Sequence, residues 1–285
     1  MLFGKISETI ELALFSESIK GASHKRANKP CQDSRKILTT HDSVILAAAD
    51  GHGSSSSPHS KRGSQYAVNV FCSIMSQYLD SYNDDKDALI SFLRTEGDTT
   101  VSKAIDNEWK LRVERAYEKR TQKNDEAQHE YVEKPQIWKQ YGTTLLGLVI
   151  MPSCYFAFQL GDGDIVLVDD IGVKIAVEAE KLLGTETHSL SQPEAWKKAV
   201  STVMHYPDAS NRFAFMVATD GFANSYPSED AFMDTCLDYF TTIKEHGAEA
   251  VESNLKSWLN ETSKMGSGDD ITVLFAYNGG HRCVG

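Results

Sequence analysis

Three strand-to-turn junctions carry carboxylates in one sequence context. Asp50 follows the apolar run "VILAAA" (44–49), Asp220 follows "FAFMVAT" (213–219), and Asp269 and Asp270 stand immediately before "ITVLFAY" (271–277). Each junction holds a glycine: Gly51, Gly221 or Gly268. One Asp-Gly at a strand end is turn chemistry, because glycine takes positive φ and aspartate bonds its own backbone. Three such junctions on three strands read instead as carboxylates gathered at one edge of a sheet. Hard cations such as Mg²⁺ or Mn²⁺ want that arrangement, with oxygen ligands, retained waters and a backbone carbonyl brought close by a neighbouring glycine. His52 and Gly53 follow Asp50 in the same turn, ahead of the serines at 54–57.

Strands must deliver these turns. "IELALFSES" (10–18) and "DSVILAAAD" (42–50) read as strands, and Pro58 opens an amphipathic helix with Ala67, Phe71, Ile74 and Tyr78 on its apolar face. Val101, Ile105, Trp109 and Val113 recur at four-residue spacing and predict a second helix from about Asp98. The stretch 118–135 is charged and aperiodic, an insertion of solvated helix end and loop. From Tyr141 onward, "TTLLGLVIM", "CYFAFQL", "DIVLVDD" and "GVKIAVE" are separated by turn residues and predict an antiparallel meander. Residues 178–211 form an irregular excursion with a short helix near Trp196; "RFAFMVATD" is again a buried strand. Helices over about 228–240 and 246–262 precede the last strand, "ITVLFAY".

A chain of 285 residues with 41% hydrophobic and 24% charged residues reads as globular, as readily one domain with insertions as two; the expectation of a single domain, 1–285, comes with the resemblance given below. Its net charge of -11 argues against a nucleic-acid partner, which needs clustered Lys and Arg. The five cysteines are scattered, without a C-x-x-C pair, which fits a reducing, cytoplasmic setting. No apolar run approaches the ~20 residues of a membrane span, and Glu8 and Glu11 break any signal-peptide pattern.

Six segments then fall in a recognisable order: "CQDS" (31–34), "ADGHGS" (49–54), "YGTTLL" (141–146), "QLGDGDIVL" (159–167), "ATDGFAN" (218–224) and "GSGDDITVL" (266–274). Together they resemble the metal-dependent PP2C-type protein Ser/Thr phosphatases in a bacterial-like form. The resemblance implies an α/β fold in which two antiparallel β-sheets pack as a sandwich flanked by α-helices on both outer faces. It also implies two Mn²⁺ or Mg²⁺ ions bridged by Asp50, with the Gly51 carbonyl on one ion, Asp220 and Asp269 completing the shell of the other, and Asp33 beside the pair. A metal-bridging water would attack phosphorus directly, and His52 would protonate the departing Ser or Thr oxygen. Thr143 and Thr144 would support the carboxylate loops, and Asp162 would help a third, weaker ion. Phosphoprotein substrates follow, with a cognate Ser/Thr kinase as the opposing partner.

The departures from the family pattern carry expectations of their own. Gln32-Asp33 stands where many members have an acidic pair, so the outer shell carries one charge fewer. Asn224 replaces a further Asp and weakens the case for a third ion. The lead-in "SHKRANKPCQDS" (23–34) is longer than usual, leaving Arg26 as the first candidate phosphate ligand with Lys25 behind it. The other histidines, His24 among them, read as incidental. Cysteine-phosphatase (C-x₅-R), nucleophile-elbow and P-loop patterns are absent. The rival from another class is a catalytically weak PP2C-like module that binds a phosphoprotein without turning it over.

Overall fold

The computed structural model describes residues 1–6, 10–122, 132–179, 187–206 and 211–280. Strands β1 (Leu2–Lys5), β2 (Glu11–Ile19), β3 (Ser34–Thr39) and β4 (Val44–Ala49), with the short helix α1 (Ala22–Arg26), precede the long helix α2 (Ser60–Ser81). Helix α3 (Lys86–Glu96), a π-helical turn at Gly97–Val101, α4 (Ser102–Thr121) and α5 (Lys134–Lys139) follow. Next come β5 (Leu145–Ile150), β6 (Tyr155–Leu160), β7 (Asp164–Asp169), β8 (Gly172–Ile175), β9 (Val200–Met204) and β10 (Phe213–Ala218). The chain closes with α6 (Asp220–Ala223), α7 (Glu229–His246), α8 (Ala248–Met265) and β11 (Ile271–Asn278). None of the described helices is long and apolar enough to cross a membrane.

Two antiparallel sheets result, ordered β1-β2-β11-β10-β7-β8 and β3-β4-β5-β6-β9. Strand side chains alternate between faces, and both faces here are covered. On β4, Val44, Leu46 and Ala48 join the layer between the sheets, while Ile45, Ala47 and Ala49 join the layer under α2 and α4. On β10, Phe213, Phe215 and Val217 face inward, whereas Ala214, Met216 and Ala218 meet the layer of α7 and α8. Double burial explains why these strands read as unbroken apolar runs instead of alternating ones. The expected sandwich with helices on both outer faces is what the structure contains.

The predicted meander needs correction. β5 and β6 pair within the five-stranded sheet, but β7 and β8 belong to the other sheet, so the chain changes sheets at 161–163. Gly161, at φ +107, supplies the turn, a conformation that L side chains rarely adopt. The excursion expected at 178–211 also contains β9, which completes the five-stranded sheet beyond its predicted short helix, found as a 3-10 turn at Ala195–Lys198. Within the insertion expected at 118–135, α4 runs on to Thr121 and α5 starts at Lys134; residues 123–131 lie outside the described ones.

Register brings the turns together. The end of β4 pairs with the start of β3 (Ala49 with Ser34), and the end of β10 with the starts of β11 and β7 (Ala218 with Val273 and Asp164). The start of β11 pairs with the end of β2 (Ile271 with Ile19). Antiparallel order therefore gathers the segments around residues 20–33, 50–53, 161–163, 219–224 and 266–270 at one edge of the sandwich.

Candidate metal centre

Asp50 leaves β4 into a turn clamped against the segment before β5. Thr143 Oγ1 donates to the Asp50 carbonyl at 2.7 Å, Thr144 N–H to the same oxygen at 2.9 Å, and Asp50 N–H to Thr144 Oγ1 at 3.0 Å. His52 N–H closes the bridge on the Gly142 carbonyl at 3.0 Å. These bonds flank Gly51, whose own carbonyl stays out of the ladder of the Gly51–Thr143 bridge. A Cβ on Gly51 would lie 2.7 Å from the Gln32 carbonyl and 2.9 Å from Ser60, so the turn packs too closely for any side chain. Likewise a Cβ on Gly142 would stand 2.7 Å from His52 Nδ1. His52 is thus seated on a glycine, with Nε2 buried and unbonded among the described residues.

Asp33 is buried at the start of β3. Thr219, just before Asp220, donates its hydroxyl proton to Asp33 Oδ2 at 2.8 Å and accepts Thr272 N–H at 2.9 Å. Asp33 Oδ1 is buried with no hydrogen-bond partner among the described residues.

The carboxylates act on one another. Burial first, then the charge of Asp270, pushes Asp33 up to about 6 against the hydrogen bonds from Thr272 and Thr219. Asp220 rises to about 7 through burial and then through Asp162, Asp269 and Asp33. Asp50 is raised well above the carboxylate range by burial and by Asp33, Asp220 and Asp269. Burial lowers the pKa of His52, opposed by the charge of Asp162. Like charges held together in a desolvated site favour protonation unless cations compensate them. An Asp33 oxygen and a Gly51 carbonyl without hydrogen-bond partners among the described residues, together with mutually repelling Asp50, Asp220 and Asp269, form an all-oxygen donor set that fits hard divalent cations.

Residues 20–260 match the sequence profile of the protein phosphatase 2C family. The chain belongs to that family. Among solved structures it is similar to RsbX in complex with magnesium, at 15% identity and TM-score 0.53, covering 97% of this chain and 98% of that one. The catalytic domain of the serine threonine protein phosphatase PstP with two manganese ions matches at 16% identity and TM-score 0.55, covering 95% and 99%. PppA, a T6SS regulatory component from Pseudomonas aeruginosa, matches at 15% and 0.55, covering 94% and 97%. At these identities the likeness is one of fold. No curated protein matches the sequence.

This phosphatase 2C member departs from the sequence expectations in its basic groups. Lys25 Nζ bonds Asn260 on α8, and Arg26 is exposed without a hydrogen bond or ion pair among the described residues. The basic group brought to the carboxylates is His24; Lys29 Nζ donates to the Gly53 carbonyl, on the turn that carries His52, at 3.0 Å. The incidental reading of His24 is thereby corrected. Its Nδ1 lies 2.9 Å from Asp270 Oδ1 and its Nε2 3.8 Å from Asp269 Oδ1, in a cluster able to hold a cation. Asp270 accepts Gly21 N–H and Gln32 N–H, both at 2.7 Å, and so closes the lead-in loop on β11. Gln32 Nε2 donates to Ser60 Oγ at 2.6 Å and to the His52 carbonyl at 3.2 Å, and the second contact needs a donor that a glutamate lacks. Asn224 Nδ2 donates to Asp220 Oδ2 at 3.0 Å, neutralising one side of that carboxylate without adding charge.

Proposed function

We propose that the chain is a metal-dependent protein phosphatase that hydrolyses phosphoserine and phosphothreonine by direct attack of water, without a phosphoenzyme. The observation that carries this reading is that Asp33, Asp50 and Asp220 are each pushed up in pKa first by burial and then by neighbouring carboxylates, Asp269 among those acting on Asp50 and Asp220, while Asp33 Oδ1 is buried and unpartnered among the described residues. Mn²⁺ or Mg²⁺ suits these donors, in keeping with the ions held by RsbX and PstP. Asp50, the Gly51 carbonyl, Asp220, Asp269 and Asp33 would hold two ions, and Asp162 a weaker third. When bound, such ions lower the pKa of water and offset charge on phosphoryl oxygens.

The chain's own residues do the rest. Thr143 and Thr144 fix the backbone that aims Asp50, and Thr219 fixes Asp33. His52, on the same rigid turn, delivers a proton to the leaving Ser or Thr oxygen; burial lowers its pKa, and the charge of Asp162 only partly offsets that. Lys29, beside the His52 turn, offers positive charge toward the substrate phosphate alongside Arg26 and Lys25. The natural substrates on this reading are cytoplasmic phosphoproteins opposed by a Ser/Thr kinase.

Hydrolysis of p-nitrophenyl phosphate and a phosphoserine peptide with Mn²⁺, abolished by chelator, tests the proposal. Asp50→Asn should cost several orders of magnitude in turnover with an unchanged circular dichroism spectrum, because it keeps the shape and removes the charge that holds the cations. Turnover in the variant within about tenfold of the parent would sink the metal-centre reading. Tight phosphopeptide binding without hydrolysis would favour the binding module.

A further inference from the structure

The helical layer over the five-stranded sheet carries a feature of opposite charge to the carboxylate edge. Arg62 and Tyr66, on the first turns of α2, face Arg112, Arg115, Lys119 and Arg120, on the last turns of α4, across an open cavity of about 460 Å³. The two helices are pinned nearby by Trp109 Nε1, which donates to the Gly63 carbonyl at 3.0 Å. Five cations line one cavity in a chain of net charge -11. Among the described residues only Arg112 is ion-paired, to Glu108 on its own helix at 2.8 Å. Arg120 donates from Nη2 to Gln140 Oε1 at 3.1 Å, while its Nη1 is buried with no hydrogen-bond partner. The side chains of Arg62, Arg115 and Lys119 have neither hydrogen bond nor ion pair among the described residues. Both Arg120 and Arg62 add to the burial that lowers the pKa of His59, which places their charges on one spot.

Three consecutive residues join this cavity to the carboxylate edge. Gln140 holds Arg120 through its side chain and accepts His59 N–H at 2.8 Å through its carbonyl. The Tyr141 ring lies between His59, at 5.2 Å, and Tyr66, at 6.4 Å. Gly142 accepts His52 N–H and seats the His52 ring. The cavity and the carboxylate edge thus meet across one segment, residues 140–142.

We infer that the cavity between α2 and α4 binds a second phosphoryl group on the same substrate segment, so that the enzyme selects multiply phosphorylated peptides. This rests on the phosphatase reading above. Four of the five cations are arginines, whose planar forks match phosphate oxygens bidentately where a lysine offers only a point charge. A cluster of like charge that is only partly compensated among the described residues, by Glu108 on Arg112 and by Gln140 and the Tyr117 ring on Arg120, is satisfied by a dianion. The strongly negative chain repels a long polyanion such as nucleic acid, whereas a single phosphorylated side chain meets only the local positive field. Tyr66 gives that side chain an apolar wall.

The test uses Mn²⁺-loaded protein and synthetic peptides with one fixed phosphoserine and a second placed at successive positions on either side. At the best spacing the second phosphate should lower KM by about tenfold relative to the singly phosphorylated peptide, the effect of one charge-assisted contact. Arg115→Glu combined with Lys119→Glu should erase that difference while leaving p-nitrophenyl phosphate turnover unchanged. A panel with no preference at any spacing overturns the inference, as does a preference that survives both substitutions. A shift in melting temperature without a shift in KM also overturns it, because the cations would then serve an acidic part of the chain itself. Should no substrate be hydrolysed, the phosphatase reading fails by itself. Fluorescence anisotropy of the doubly phosphorylated peptide in chelator then decides the cavity: binding lost in the double variant supports the assignment, and equal binding refutes it.

Discussion

Replacing Asp33 by Asn should stabilise the metal-free protein at alkaline pH and leave it almost unchanged in acid. Asp33 titrates near 3.8 in the unfolded chain and at about 6 in the fold, where burial and then the Asp270 charge disfavour its ionised form. Between those values the folded state keeps a proton that the unfolded state has released, so stability falls as pH rises and the penalty is complete above about pH 6. At about 1.4 kcal/mol per pH unit the shift is worth on the order of 3 kcal/mol. Asn keeps an oxygen for the Thr219 hydroxyl and removes the charge. With an unfolding entropy of about 2.1 cal/mol/K per residue, the 285-residue chain should gain about 5 °C in melting temperature at pH 8 and only about 1 °C near pH 4. Thermal melts in chelator at both pH values measure this directly. Adding Mn²⁺ should reverse the order, because the parent carboxylate then holds a cation and the amide does not. A variant that melts lower than the parent at pH 8 in chelator, or a difference independent of pH, would show that Asp33 is not held against its neighbours' charges.

His52→Gln separates proton donation from scaffolding: turnover of a phosphoserine peptide should drop by roughly 10² to 10⁴, with a much smaller loss on p-nitrophenyl phosphate, whose leaving group needs no proton. Equal losses on both substrates would withdraw the acid role. His24→Gln should raise the Mn²⁺ concentration needed for half-maximal binding by about tenfold, read by calorimetry, since ligand-orienting partners of a metal site are commonly worth 10- to 100-fold. An unchanged isotherm would return His24 to the surface.

Much of the site was legible because strand ends are local. A run such as "VILAAA" must leave its sheet somewhere, and the Asp-Gly that follows can be read without knowing its neighbours. The same holds for Trp109 and Val113, whose spacing states a buried helix face, and for Thr143 and Thr144, which do support the Asp50 loop. α3 was overlooked although Asp85, which caps it by accepting Ala88 N–H at 2.9 Å, and the buried pair Leu89 and Leu93 are local signals of the same kind.

Pairing across the chain is different, because hydrogen bonds between strands carry no sequence mark of their partner. The four segments after Tyr141 look like one meander, yet the turn at 161–163 sends the last two to the opposite sheet, where β7 lies against β10 and aims Asp162 toward Asp220. His24 sits in a short polar stretch with no periodicity, and only the pairing of β2 with β11 brings it to Asp269 and Asp270. Gln32 reads in sequence as a missing acid; folded, it is the donor that ties the start of β3 to Ser60 and to the His52 carbonyl. The cations of α2 and α4, unremarkable along the chain, become one cavity when Trp109 docks on Gly63. Residue types and turn positions were thus set by local chemistry that a sequence displays. Which turns share an edge, and which charges must face one another there, was decided by strand register and helix packing, interactions between residues that the chain alone holds far apart.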